Sequence, residues 1–128
     1  MKYIIDTNIL IYFLNDTLTS KGSDFLVKAF QNQEANISVI TKIEILGFPF
    51  SDAASEIKAT KLINSLSIFP LSNEIVNKTI GIRKFKKIKV ADAIIAATAI
   101  INDLTLISRN EKDFKNLPGL NFINPFSL

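Results

Sequence analysis

"KYIIDTNILIYFL", residues 2–14, changes character halfway along. Residues 2–5 are rich in β-formers, Asp6, Thr7 and Asn8 supply turn and N-cap chemistry, and the apolar run Ile9–Leu14 follows. The stretch reads strand, turn, helix, with a carboxylate at the join.

The same alternation recurs along the chain. In "GSDFLVKAFQNQ", residues 22–33, Phe25, Leu26, Ala29 and Phe30 fall at helical intervals, and the β-branched "ANISVI", 35–40, predicts a strand. "TKIEILGF" opens with Thr41 and Glu44 in the spacing of a capping box, and Gly47 with Pro49 closes that helix. A helix over 52–66 leads to "SIFPL", 67–71, a strand whose Pro70 cannot donate to a ladder and so belongs at a sheet edge or strand end. "NEIVNKTIGIRKF" is a helix interrupted at Gly81, "VADAIIAATAII", 90–101, is a helix apolar all round, and "LTLIS", 104–108, is a buried strand. "RNEKDF" gives a short helical turn and "NFIN", 121–124, a last edge strand. Strands alternating with helices, without a hairpin signal, predict a parallel α/β sheet covered on both faces.

The chain has 128 residues, 48% of them hydrophobic, with no repeat, linker or low-complexity segment, so residues 1–128 are expected to form one domain. Its longest apolar run, "ILIYFL", is far short of the roughly 18 residues of a membrane span. "MKYIID" lacks the apolar core of a secretory signal, so the expected location is the cytoplasm, with no membrane partner. With no Cys and no His, thiol nucleophiles, zinc–cysteine sites and histidine bases are excluded. Any catalysis must run on carboxylates, hydroxyls, Lys, Arg or a metal ion.

In parallel α/β folds ligands bind beyond the carboxyl ends of the strands. Asp6 follows the first strand, Glu44 the second and Asp113 the fourth, while Asp92 begins the helix leading into that fourth strand. Each has a purely structural reading: Asp6 as an Asx-turn or N-cap, Glu44 as half of the capping box with Thr41, Asp113 as a solvated loop acid, and Asp92 as a first-turn acid paired with Lys89. Against the last stands the helix face that Asp92 shares with Ile95, Ala96 and Ala99, because a carboxylate aimed there leaves water and needs compensation. Carboxylates crowded without cations raise one another's pKa, and a divalent ion keeps them ionised; oxygen ligands alone suit Mg²⁺ or Mn²⁺.

"IIDTNIL", "SVITKIEIL", "DAIIAATA" and "LTLISRNEKDF…LPGLNFINP", in this order and at these separations, resemble the PIN-domain nucleases, especially the VapC-type toxins of bacterial toxin–antitoxin pairs. The resemblance runs from residue 2 to about 125. It implies a PIN-like three-layer sandwich, helices flanking a central parallel sheet of order 3-2-1-4-5, and a Mg²⁺- or Mn²⁺-dependent endoribonuclease that hydrolyses RNA phosphodiester bonds. Asp6 and Asp92 match the family's metal-binding aspartates and Glu44 its motif glutamate. Asn110 stands where many members carry an acid, so either Asp113 completes the catalytic set or three acids suffice. A cognate antitoxin and a homodimer are further implications. Asn8 and Thr7, on the same turn, are expected to fix the Asp6 rotamer by hydrogen bonding.

"RKFKKIK", residues 83–89, puts five basic side chains before the helix bearing Asp92. They read either as contacts for RNA phosphates or as a solvated helix end with Phe85 and Ile88 turned inward. The aromatic residues of "IYFL" and "DFLVKAF" read as core rather than base-stacking platforms. Aspartyl-phosphate phosphatases resemble D-x-D-x-T, which Asn8 and Leu10 break; no phosphoacceptor Asp follows the third strand, and no phosphate-binding glycine motif is present. The alternative to a nuclease is a catalytically weakened PIN domain that serves as a binding module.

Overall fold

A computed structural model describes residues 2–128. The elements run β1 (Tyr3–Ile5), α1 (Thr7–Leu14), α2 (Ser20–Gln31), β2 (Ala35–Ser38), α3 (Val39–Leu46), α4 (Ala53–Asn64), β3 (Ser67–Phe69), α5 (Asn73–Phe85), α6 (Val90–Ile101), β4 (Thr105–Ile107), α7 (Glu111–Phe114) and β5 (Asn121–Ile123), closing in a short 3₁₀ turn, Pro125–Ser127. All strand pairs are parallel, in the order β3-β2-β1-β4-β5. No described helix is long and apolar enough to cross a membrane.

Alternation along the strands assigns their side chains to two apolar layers. Ile4 and Leu106 pack into the layer with α5 and α6, whereas Ile5, Ile37 and Ile107 pack into the layer with α1, α2, α3 and α4. Asn36, buried within β2, is tolerated because its Nδ2 donates to the carbonyls of Tyr3 at 2.9 Å and Glu34 at 3.3 Å. The outer strands, β3 and β5, are the two expected at edges, with Pro70 just past β3.

α6 lies across β1, β2 and β4 at the centre of the sheet. Ala93, Ala96, Ala97 and Ala99 are fully buried, and such small side chains let the helix approach closely. Because its C-terminus turns directly into β4, its N-terminus lies at the carboxyl ends of the strands. Asp92 is carried there by chain direction alone.

Several local expectations are corrected. The strand expected over 35–40 stops at Ser38, whose hydroxyl accepts from the Ile40 amide and caps α3. Thr41 is therefore inside the helix and is no cap, so the Thr41–Glu44 capping box does not exist. Asn110 instead caps α7 with its side chain: its Oδ1 accepts from the Asp113 amide at 3.3 Å, and its Nδ2 donates to Asp113 Oδ2 at 2.9 Å. α5 runs unbroken through Gly81, since glycine weakens a helix without ending it. Ile88 turns inward, but Phe85 is 65% exposed.

Candidate functional site

The site is built by sheet register. Ile4 pairs with Leu106, so Asp6 and Ser108, two residues further along each strand direction, face the α6 side together. The Asp6 amide donates to the Ile107 carbonyl at 2.9 Å, and Ser108 Oγ donates to Asp6 Oδ2 at 2.7 Å. Asp6 occupies the N-cap position of α1 yet makes no side-chain cap bond, so its carboxylate is turned away from the helix it precedes.

Of the expectation that Thr7 and Asn8 fix the Asp6 rotamer, only a contribution from the Thr7 backbone amide holds, and neither side chain takes part. Thr7 Oγ1 donates to Glu44 Oε1 at 2.7 Å and contacts Thr41 Oγ1 at 2.9 Å. A hydroxyl has one proton, so with Thr7 committed to Glu44 it is Thr41 that donates to Thr7. The relay Thr41 to Thr7 to Glu44 joins α3 to α1 and orients an otherwise exposed glutamate. Asn8 is exposed and holds no side-chain hydrogen bond among the described residues. Ser108 orients Asp6 instead, and sequence reading passed over it because a serine at a strand end looks like an ordinary turn residue; only strand pairing reveals its partner.

Electrostatics tie the acids together. The Asp6 carboxyl is pushed up from 3.8 to about 6, chiefly by burial; the hydrogen bonds from Ser108 and the Thr7 backbone oppose the rise, and the like charges of Asp92 and, less, Glu44 add to it. Asp92 is also raised, first by its own half-burial and then by the Asp113 charge, with Lys89 opposing and Glu44 adding. Asp6, Asp92 and Glu44 thus share one field, and Asp113 borders it on the Asp92 side. Lys89 forms no ion pair with Asp92; the one ion pair among the described residues is Lys2–Glu34, at 3.8 Å.

No three acidic side chains among the described residues stand close enough to hold one metal ion between them. The donor set fits a hard cation nonetheless. Every candidate ligand is a carboxylate oxygen, only one Asp6 oxygen is taken by a side-chain donor, and Mg²⁺ keeps several waters while binding through one or two carboxylates.

The basic stretch before α6 is partly committed to the fold. Arg83 Nε donates to the Ile88 carbonyl at 3.1 Å, and Lys86 Nζ donates to the carbonyls of Lys112 and Asp113 at 2.7 and 2.8 Å. Lys86 thereby pins α7, and with it Asp113, to the end of α5.

An open parallel sheet with desolvated carboxylates at the carboxyl ends of its strands defines an α/β domain with an acidic site where such folds place their ligands. The model of the PIN domain matches residues 3–120. A toxin–antitoxin complex from Klebsiella pneumoniae contains a chain 31% identical, with 97% of this chain and 98% of that one covered and a TM-score of 0.79. VapBC2 from Rickettsia felis, bound to a DNA fragment from its promoter, matches at 26% identity over 97% and 98% of the two chains, with a TM-score of 0.82. DNA-bound VapBC from Salmonella typhimurium, 20% identical over 98% of each chain with a TM-score of 0.82, shares the fold. No protein of curated function matches closely enough to count as a relative. The chain belongs to the PIN-domain family.

Proposed function

We propose that the protein is a Mg²⁺- or Mn²⁺-dependent endoribonuclease and the toxin of a toxin–antitoxin pair, with Asp6 and Asp92 holding the metal and Glu44 and Asp113 completing the catalytic set. The reading rests on one observation above all: Asp6 and Asp92 are both desolvated carboxylates, the charge of Asp92 raises the Asp6 pKa further, and neither has an ion-pair partner among the described residues. Such an arrangement is costly unless a cation joins it.

When bound, a divalent ion neutralises charge on the scissile phosphate and lowers the pKa of a water. The chain's own residues do the rest. Ser108 holds one oxygen of Asp6 and leaves the other for the ion. Thr7 fixes the exposed Glu44 at the mouth, where its second oxygen can orient water or take its proton. Asp113, bonded by Asn110, puts a negative charge beside Asp92 and stands in for the acid that the family resemblance implies at the Asn110 position.

We read residues 1–128 as a single PIN domain, acting in the cytoplasm as a homodimer and restrained by a cognate antitoxin. The solved relatives that support a partner are themselves toxin–antitoxin complexes. The second reading, a weakened domain that only binds, draws on Asn110 and on the lack of any three-acid cluster.

Cleavage of single-stranded RNA separates the two. The nuclease reading expects cleavage with Mg²⁺ or Mn²⁺ that stops with chelator and falls at least about a hundredfold in Asp6→Asn and Asp92→Asn, both still folded. Glu44→Gln keeps an acceptor for Thr7 but loses the charge, so it is expected to lose rate while melting normally. Undiminished cleavage by the Asp6→Asn, Asp92→Asn double variant would sink the site assignment.

A further inference from the structure

Arg109 lies between Ser108, which holds Asp6, and Asn110, which holds Asp113. Its side chain is exposed and leaves the acids for the other side of the sheet. There the guanidinium lies 4.0 Å from the centre of the Phe126 ring and 5.6 Å from that of Tyr12, and the two rings meet edge to face at 5.1 Å.

The stack is held from below. Pro125 is buried, Asn124 Oδ1 accepts from the Phe126 amide at 2.9 Å, and α2 approaches the Pro125 carbonyl so closely that a Cβ on Gly22 would come within 2.7 Å of it. The acid nearest in sequence, Glu111, is occupied elsewhere, accepting from Asn124 Nδ2 at 2.9 Å. Arg109 forms no ion pair among the described residues, and of its five donors one is used, in a long 3.4 Å contact to the Tyr12 hydroxyl.

An exposed guanidinium seated over the Phe126 ring and beside Tyr12, with no carboxylate partner, is preorganised for a planar, forked acceptor. We propose that Arg109, backed by Tyr12 and Phe126, is a binding subsite for a backbone phosphate of single-stranded RNA flanking the bond that is cut. The inference rests on the ribonuclease reading for its ligand. The geometry explains why arginine suits the position better than lysine: a fork pairs with a phosphate through two parallel bonds, and a plane stacks on Phe126.

The test is binding of a fluorescein-labelled single-stranded RNA oligonucleotide to the full chain in chelator, followed by anisotropy across a salt series. Working without metal makes the result independent of cleavage, so a chain that failed to hydrolyse RNA with Mg²⁺ would defeat the nuclease reading while leaving this measurement intact. Arg109→Ala is expected to weaken binding about tenfold and to reduce the salt slope by about 0.7. Arg109→Lys should keep the slope but recover only part of the affinity. Arg109→Met, whose stem still covers Phe126, controls for folding through its melting curve. With Mg²⁺, KM should rise in Arg109→Ala while kcat stays within about twofold. A folded Arg109→Met that binds RNA as tightly as the unaltered chain, with the same salt slope, overturns the proposal.

Discussion

Asp6 is 4% exposed, and it gains the Ser108 hydroxyl and a weaker bond from the Thr7 backbone in exchange for the water it gives up. Its charged form is therefore poorly supported until a cation arrives, and the consequence for stability has a definite sign. The folded carboxyl titrates near 6 and the ordinary carboxyl near 3.8, so between them the folded state keeps a proton that the unfolded chain has lost. Stability of the metal-free protein accordingly falls as pH rises through that window and stays lower above it. Asp6→Asn, which cannot ionise and can still accept from Ser108, is expected to be about 2 kcal/mol more stable than the unaltered chain at about pH 8 in chelator, and Mg²⁺ should narrow the gap by stabilising the unaltered chain alone. Urea unfolding at several pH values measures this; equal stabilities in chelator would mean that Asp6 is not strained. Asp6 and Asp92 were legible in the sequence because each is a charge placed against an apolar pattern. Ser108 was not, because a hydroxyl carries no such contradiction and its partner lies 102 residues away. Thr7 was legible as a turn residue, but its bond to Glu44 depends on how α1 and α3 pack, which no local pattern encodes.

At the scale of elements, sequence boundaries failed where one residue type serves two structures. Val39 and Ile40 are β-branched and extend the strand pattern of "ANIS", yet Ser38 caps a helix at once and the two residues join α3. Glycine misled in the same way: Gly81 punctuates the pattern of α5 without bending it, and it is exposed, with open space where a Cβ would project. Gly81→Ala is therefore expected to raise stability by about 0.5–1 kcal/mol, through helix propensity and a less flexible unfolded chain, with cleavage unchanged. A thermal melt checks it, and a loss of stability would mean that the position is more constrained than it looks. α6 was read correctly in extent and burial, because a helix apolar all round has to lie at the centre of a domain.

For the whole molecule, alternation of strands and helices dictated a parallel sheet, and the family resemblance supplied the strand order 3-2-1-4-5 that the structure has. Strand order is a long-range property, and periodicity alone leaves several arrangements open. The order matters for function: with β1 and β4 adjacent, Asp6 meets Ser108, and with α6 crossing both, Asp92 is delivered to the same edge. Chain direction then gathers the acids at one end of the sheet, where the proposed reading has a hard cation join them. That coupling is the central claim, and direct titration of Mn²⁺ into the metal-free protein tests it without any assumption about substrate. Calorimetry should show binding that is lost in both Asp6→Asn and Asp92→Asn but kept in Asp52→Asn, a change at the exposed N-cap of α4. Mn²⁺ binding of undiminished affinity in either Asp6→Asn or Asp92→Asn would contradict it.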